Sequence, residues 1–257
     1  MIKLCCPSYR RAKRPKTFAR YPDAVYYIDE SDEGAYNSYG VDYVVVQDGV
    51  QGNVSRIRNY VLDSELQKGA DGVVFMDDDI SWVAVFDPKP NNGKGWDARK
   101  LNQDELWQVI GDGFRLCEDW GFKMWVFNPG GAMRRSYKRN QPFSTTNYIA
   151  SPFVGFLPNP LRYDESIPLK EDYDMTLQHA RRFGGSLRMN MLHVICDQGC
   201  KGSAQAGGCS TYRTTAEERR QFDALQAKCG SRLVKRDRTS KLANDYNPII
   251  HVPIQGL

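Results

Sequence analysis

Hydrophobic and polar positions alternate along the chain in blocks that predict short strands and longer helices. Three apolar runs rich in β-branched and aromatic residues, at 2–6, 24–28 and 43–46, are typical of strands. The segment 54–68 repeats apolar residues at helical spacing, and 73–76 is a fourth apolar run. This order of strand, loop, helix and strand favours a parallel sheet flanked by helices.

Capping residues mark where the first two predicted helices begin and end. Asn53 or Ser55 is suited to cap the first helix, and Gly69 is suited to end it. A second helix is predicted over 103–120, where a stripe of apolar side chains stops before Gly121. These signals set the predicted boundaries of both helices.

The second half of the chain is richer in turns but continues the alternation. Further strand-like segments lie at 123–127, 148–149 and 153–157. A third helix is predicted over 173–183, and a capping box beginning at Thr215 predicts a last helix that reaches Cys229. Segments 88–95 and 196–208 are dense in Gly and small polar residues, so they are expected to be loops.

Composition fits one globular domain. The chain has 257 residues, of which 41% are hydrophobic and 26% charged. It lacks both an apolar run long enough to span a membrane and an N-terminal signal peptide, so we expect a cytoplasmic protein with no membrane partner. Its seven cysteines are an odd number in a fairly large chain, which favours free thiols.

Positive charge is modest overall but clustered. The formal net charge is +4. The basic residues form three groups, namely Arg10, Arg11, Lys13, Arg14 and Lys16, then Arg134, Arg135, Lys138 and Arg139, then Arg232, Lys235, Arg236, Arg238 and Lys241. Such groups either follow a phosphate backbone or form a solvated face, and composition does not choose between the two.

Three consecutive aspartates, Asp77, Asp78 and Asp79, follow the predicted strand 73–76 directly. Carboxylates at the end of a buried strand repel one another and resist desolvation, and a divalent cation relieves both costs. Alternation along an extended chain places Asp77 and Asp79 on one side, where both can contact the same ion. A solvated turn is the simpler alternative.

A second acidic group, Glu171, Asp172 and Asp174, lies at the start of the predicted helix 173–183. Carboxylates near a helix N-terminus are favoured by the helix dipole, which is a structural explanation for them. A functional interpretation requires that this group lies close to the first acidic group, Asp77 to Asp79, in the folded protein.

The chain resembles glycosyltransferases of the GT-A fold. The resemblance rests on Cys6-Pro7-Ser8-Tyr9-Arg10, Ser55-Arg56-Ile57-Arg58-Asn59, Val74-Phe75-Met76-Asp77-Asp78-Asp79 and Glu171-Asp172, and covers about the first 210 residues. It is greatest to the bacteriophage enzymes that glycosylate hydroxymethylated pyrimidines in DNA, including the glucosyl and arabinosyl transferases of hydroxymethylcytosine. The resemblance implies a Rossmann-like α/β fold with a mixed, mainly parallel sheet in a single domain.

The resemblance also implies a donor and a cofactor. Asp77 and Asp79 match the Asp-X-Asp element that holds Mn²⁺ or Mg²⁺ against the diphosphate of a UDP-sugar. A later histidine often completes that metal site, and His193 is the first candidate, with His251 as the other choice. The residues matched to nucleotide-sugar binding are Pro7, Tyr9, Arg10, Arg56, Asn59, Asp77 and Asp78.

Glu171 and Asp172 match the second acidic motif, and we predict that they are catalytic. Asp172 is a general base if the enzyme inverts the anomeric centre, and a positioning group if it retains it; sequence does not choose. The residues before Glu171 depart from the usual pattern of this motif. His193 with Cys196, Cys200 and Cys209 is an alternative zinc set, although its spacing is unusual.

The expected function is therefore transfer of a glucose-type or arabinose-type sugar from a UDP-sugar to the hydroxymethyl group of 5-hydroxymethylcytosine in phage DNA. The implied setting is a phage-encoded protein in the host cytoplasm, with DNA and a nucleotide sugar as partners. Residues 1–128 would form the nucleotide-sugar half of the domain 1–257, and 129–257 the acceptor half. The alternatives are a saccharide, lipid or protein acceptor, and a two-metal nuclease or phosphoryl-transfer enzyme.

Overall fold

The structure of the protein is a computed structural model. It describes residues 1–10, 17, 20–87, 97–129, 141–149, 152–196, 208–237 and 246–252. The basic residues at 134–139, most of those at 10–16, and Arg238 and Lys241 lie outside these ranges, as do the predicted loop 88–95 and all but the two ends of the predicted loop 196–208. Within the described ranges, none of the helices combines the length and the apolar content that a membrane span requires.

One large sheet organises the described chain. Its strands are β1 Ile2–Pro7, β2 Val25–Ile28, β3 Tyr43–Val45, β4 Gly72–Met76, β5 Ile80–Asp87, β6 Asp97–Lys100, β7 Met124–Pro129, β8 Phe143–Ser144, β9 Phe153–Phe156 and β10 Leu187–Cys196. Two further strands, β11 Val234–Arg236 and β12 Pro248–Ile250, form a separate pair. The large sheet has the order β3-β2-β1-β4-β9-β7-β10-β5-β6, with β8 paired to β10.

The sheet is mixed but mainly parallel. Neighbours β3, β2, β1 and β4 all run in the same direction, and β7 and β10 form a second parallel pair. Strand β9 lies between the two groups and runs antiparallel to β4 and β7. Strand β5 runs antiparallel to both β10 and β6. The predicted Rossmann-like α/β fold is confirmed.

Helices cover both faces of the sheet. They are α1 Glu33–Tyr39, α2 Val54–Gln67, α3 Gln103–Trp120, α4 Glu171–Phe183 and α5 Thr215–Cys229. Alternate residues of β1 and β4 point to opposite faces, as the pleat requires. Leu4 and Val74 join a core with the apolar side of α3, whereas Cys5 and Val73 join a core with α2. Helices α4 and α5 share a third core around Leu177 and Leu225.

Most predicted elements are confirmed, and three details are wrong. Helix α3 has the predicted bounds, and Asn53 caps α2 by accepting hydrogen bonds from the N–H groups of Ser55 and Arg56. The segment 148–149 is not a strand. Helix α4 begins two residues earlier than predicted, at the acidic pair itself. The cap of α5 is Thr214 rather than Thr215, because the Thr214 hydroxyl accepts from the Glu217 N–H.

Candidate active site

A cavity lies at the carboxyl ends of β1 and β4. After β1 the chain continues to β2 on one side, and it returns through α2 to β4 on the other side. Neighbouring parallel strands whose connections leave in opposite directions form a crevice at this edge of an α/β sheet, where ligands bind. The cavity has a volume of about 380 Å³, within the range of small-molecule sites.

The three aspartates form the turn between β4 and β5. Asp78 is buried, whereas Asp77 and Asp79 on either side of it are partly exposed. The Ser8 hydroxyl donates a 2.5 Å hydrogen bond to Asp78 Oδ2, and the Tyr36 hydroxyl donates to Ser8 Oγ at 2.8 Å. Asp78 therefore ties this turn to the end of β1. Asp77 and Asp78 line the cavity, whereas Asp79 is not among its described lining residues.

Arg58 connects the two acidic motifs. Its guanidinium lies 3.6 Å from Asp77 Oδ1, 3.4 Å from Glu171 Oε1 and 3.2 Å from Asp172 Oδ1. The Arg58 side chain is only 6% exposed, and it also packs against the ring of Tyr163. One cation thus faces three carboxyl groups, from the turn after β4 and from α4, which leaves the cluster with an excess of negative charge.

This excess changes the acidity of the carboxyl groups. Burial, together with the nearby Asp79, Asp78 and Asp172, raises the pKa of Asp77 from 3.8 to about 7, although Arg58 opposes the change. Burial also raises the pKa of Glu171 and of Asp172, again against the attraction of Arg58. The Asp77 side chain keeps 46% of its surface exposed, so water screens part of this repulsion. The cluster favours binding of either protons or a cation.

Stability of the ligand-free protein should fall with rising pH because of Asp77. A raised folded-state pKa stabilises the fold below pH 3.8, and this stability is lost as the pH rises to about 7. We expect Asp77→Asn, which is always neutral, to match the wild type near pH 4 and to exceed it near pH 8. Urea unfolding in EDTA from pH 4 to 8 measures the difference. Asp63→Asn, at an exposed carboxylate paired with Arg162, is the control.

The structure divides the predicted nucleotide-sugar residues into two sets. Pro7, Tyr9, Asp77 and Asp78 line the cavity. The other three, Arg10, Arg56 and Asn59, are not among its described lining residues. The Arg10 guanidinium stacks on the Tyr9 ring, and its backbone N–H donates to Asp32.

Arg56 and Asn59 contact the segment before α4 instead of lining the cavity. The Arg56 guanidinium pairs with Glu165 at 3.1 Å, and Asn59 exchanges hydrogen bonds with the backbone of Tyr163. Both residues therefore attach α2 to the segment before α4. Arg58 lies on another side of the same helix and is the residue of this motif that reaches the cavity.

His193 lies in β10, apart from the aspartate turn. It pairs with Ala84 of β5, which is about 13 Å along the strand from Ile80 at ~3.3 Å per residue. Burial lowers the pKa of His193, and a hydrogen bond to the Ala84 backbone opposes this effect. Cys196, opposite Ile80, is the β10 side chain that contacts Asp79. Of the alternative zinc set, Cys200 lies outside the described residues.

The carboxylates of the aspartate turn are candidate ligands for a hard divalent cation, which would share them with a substrate. Within the described chain, no three His, Cys, Asp or Glu side chains come together as a ready-made metal site, so His193 does not complete one with Asp77 and Asp79. Mg²⁺ is commonly bound through one or two carboxylates, with phosphate oxygens and water as the remaining ligands. Asp77 and Asp79 are the two carboxylates in this turn that would hold it.

Comparison with known proteins leaves the family open. No protein-family model and no curated protein matches the sequence. Among solved structures, the chain is similar to the crystal structure of mannose-1-phosphate geranyltransferase from Thermus thermophilus, with 13% identity and a TM-score of 0.34. The match covers 62% of this chain and only 50% of that one. It assigns no function.

The segment before α5 supplies two cavity residues that sequence reasoning missed, Tyr212 and Arg213, beside Cys209, which was considered only as a zinc ligand. Cys209, Tyr212 and Arg213 line the cavity opposite the strand ends. The Tyr212 hydroxyl donates to Cys209 Sγ at 3.2 Å, and Arg213 lies 3.3 Å from Glu218. Glu218 also pairs with the fully buried Lys170, which precedes α4. This network links the segment to the start of the second acidic motif.

Gln51 is a further missed residue of the cavity. Its amide nitrogen donates to the carbonyl oxygens of Ser8, at 3.2 Å, and Tyr27, at 3.0 Å. Two carbonyl acceptors determine the orientation of the amide, because the reverse orientation would bring oxygen against oxygen. Gln51 therefore joins the ends of β1 and β2, and no local sequence signal identifies it.

Proposed function

We propose that the protein is a glycosyltransferase that uses a nucleotide sugar and a divalent cation. The observation that carries the proposal is the meeting of Asp77, Glu171 and Asp172 around Arg58 beside the cavity. These carboxyl groups come from two elements about a hundred residues apart, and they meet at the edge of the sheet where α/β enzymes bind nucleotides. A solvated turn alone would not require that meeting.

The cavity has the features that a sugar nucleotide requires. Its walls include the end of β1 at Pro7 to Tyr9 and the first turn of α2 at Asn53 and Val54. A helix N-terminus carries partial positive charge, which favours phosphate, and Arg58 and Arg213 add two cations. Asp77 and Arg58 line the cavity and lie 3.6 Å apart, so we place the diphosphate and its cation beside them and the nucleoside beside β1.

Asp77 and Asp79 would hold Mn²⁺ or Mg²⁺ against the diphosphate. Bound there, the cation supplies charge stabilisation for the leaving nucleoside diphosphate. Arg58 and Arg213 add hydrogen-bond donors for the same developing charge. Arg58 is held on three carboxyl groups, so its position is fixed before a substrate arrives.

Glu171 and Asp172 are the groups that we propose act on the acceptor. Both line the cavity, and burial raises the pKa of each. A carboxylate with a raised pKa is a stronger base, which suits removal of a proton from an acceptor hydroxyl. Asp172 is the more exposed of the two, at 24% of its side-chain surface against 13%, and we assign the base to it.

For the acceptor we propose the hydroxymethyl group of a modified pyrimidine in DNA, with a UDP-sugar as donor. The support is the sequence resemblance and the clustered positive charge, and the division of roles near residue 128 stays a prediction. A saccharide acceptor is the alternative that the same cavity accommodates. Incubation with UDP-glucose or UDP-arabinose and DNA that contains 5-hydroxymethylcytosine, followed by nucleoside mass spectrometry, decides between them.

Donor binding is predicted to stabilise the fold. A ligand at 100 times its Kd adds about 2.7 kcal/mol to the free energy of unfolding. We expect UDP-glucose with Mn²⁺ to raise the melting temperature of the wild type and of Asp63→Asn, but to have much less effect on Asp77→Asn, which lacks a cation ligand. Differential scanning fluorimetry measures the three shifts. Equal shifts in all three proteins would contradict the assigned donor site.

A further inference from the structure

A short turn before β2 is attached to the strand that leaves the aspartate turn. The Thr17 hydroxyl donates to the Asp78 carbonyl oxygen at 2.5 Å, and the Thr17 carbonyl accepts from the N–H groups of Arg20 and Tyr21. The Tyr21 hydroxyl in turn accepts from the Val83 N–H at 3.1 Å. Arg20 is thereby held against the first half of β5.

Two cationic side chains lie against the ring of Trp82, in the first half of β5. The Lys100 ammonium lies 3.0 Å from the centre of the Trp82 ring, and the Arg20 guanidinium carbon lies 5.3 Å from it. Lys100 comes from β6, where it pairs with Ala84 across the strands. The indole attracts both charges through its ring faces, so it holds two otherwise flexible side chains near one another.

Both cations are available to a partner. Arg20 and Lys100 are exposed, and neither forms an ion pair with an acidic side chain of the described residues. Their neighbour Arg99 differs, because it pairs with Glu105 at 2.8 Å. Two charges held on one aromatic ring, with no acidic partner among the described residues, are suited to bind an anion.

We propose that Arg20 and Lys100, held by Trp82, bind the phosphate backbone of the DNA acceptor; this inference rests on the proposed function. The two charges lie within about 8 Å of each other, which is the sum of their distances to the ring centre. Each DNA strand carries a phosphate about every 3.4 Å along the axis, so one strand offers more than one phosphate within the reach of this pair.

The position of the pair also suits the reaction. Trp82 follows Asp79 by three residues, which is about 10 Å of extended chain. A backbone held at Trp82 therefore passes the edge of the aspartate turn, within reach of a nucleotide unstacked toward the cavity. Phosphate contacts of this kind set register and orientation and carry no base information.

The test measures DNA affinity against salt for the double variant Arg20→Gln with Lys100→Gln. The probe is a 20-base-pair duplex that contains 5-hydroxymethylcytosine, with affinity from fluorescence anisotropy at several NaCl concentrations. Loss of two phosphate contacts should reduce the slope of log K against log salt by about 1.8, since each contact contributes about 0.9. We expect an unmodified duplex to show the same reduction.

The matched control is Arg115→Gln with Arg219→Gln, which removes the same net charge from exposed cations that have acidic partners. We expect its slope to equal that of the wild type. An unchanged slope in the Arg20 and Lys100 variant, an equal fall in the control, or wild-type protein that does not bind DNA would each overturn the inference. Stabilisation by UDP-glucose, measured in the same variants, tests the donor site separately, so failure of one does not imply failure of the other.

Discussion

Replacing Arg58 with methionine should destabilise the protein by about 3–5 kcal/mol at pH 8, because removal of one partner leaves buried charges without compensation. Asp77, Glu171 and Asp172 all lie within 3.6 Å of this guanidinium. Methionine keeps much of the apolar stem, so packing is largely preserved. Guanidinium chloride unfolding in EDTA measures the change in the free energy of unfolding.

The pH dependence of this variant separates charge from packing. The pKa of Asp77 is already raised to about 7 in the presence of Arg58, and loss of the cation raises it further. At pH 5 the carboxyl groups therefore take up protons, and most of the lost stability should return relative to the wild type at that pH. Arg115→Met, at a pair with Asp112 whose side chains are 64% and 51% exposed, should cost less than about 1 kcal/mol. Equal losses at pH 5 and pH 8 would mean that packing, and not charge, is what Arg58 contributes.

The core of the fold was predictable because its signals are local. Strands β1 to β4 and helices α2 and α3 each combine an apolar period with a nearby cap or breaker. The hairpin of β5 and β6 was missed, although Ile80–Asp87 has a strand composition. The aspartate triplet was correctly placed after the strand 73–76, but the strand that begins directly after it, at Ile80, was not predicted. Whether charged residues end a sheet or join two of its strands depends on distant pairing, here with β10.

The residues of the site were harder to choose than its elements. In the motif that contains Arg56, Arg58 and Asn59, the residue that reaches the cavity is set by which side of α2 is buried. Arg58 precedes the buried Val61 and Leu62 by three and four residues, so it lies on the buried side of the helix. An arginine inside an apolar stripe is a detectable signal for a buried ionic contact. The actual partners of Arg56 and Asn59, in the segment before α4, are more than a hundred residues away and give no local signal.

Part of the cavity lining comes from a segment that hydrophobic periodicity does not identify. Cys209, Tyr212 and Arg213 lie in a short 3₁₀ turn and the link to α5, where there is no amphipathic pattern. Their position follows from Glu218, which contacts both Arg213 and the buried Lys170. A residue such as Lys170 looks like an ordinary surface lysine in the sequence. Its burial is a consequence of α5 packing on α4, which only the tertiary structure reveals.

Asp172 offers the most direct test of the chemistry. It lies at the start of α4, 3.2 Å from Arg58, and it lines the cavity beside Asp77 and Glu171. Burial raises its pKa, and Arg58 limits that rise, so it stays ionised over more of the neutral range than it would alone. This combination describes a carboxylate that is charged yet basic enough to take a proton from a hydroxyl group.

We therefore expect Asp172→Asn to lower turnover by about 10²–10⁴-fold, the usual contribution of a general base, with little change in donor binding. Asparagine keeps the shape and one acceptor for Arg58, but it cannot accept the proton. Steady-state transfer from UDP-glucose to DNA that contains 5-hydroxymethylcytosine gives kcat, and the melting-temperature shift with UDP-glucose reports donor binding. Asp63→Asn, the same chemical change at an exposed position, should leave both unchanged. If Asp172→Asn retained the turnover and the pH profile of the wild type, Asp172 would not be the base, and Glu171 would become the residue to test.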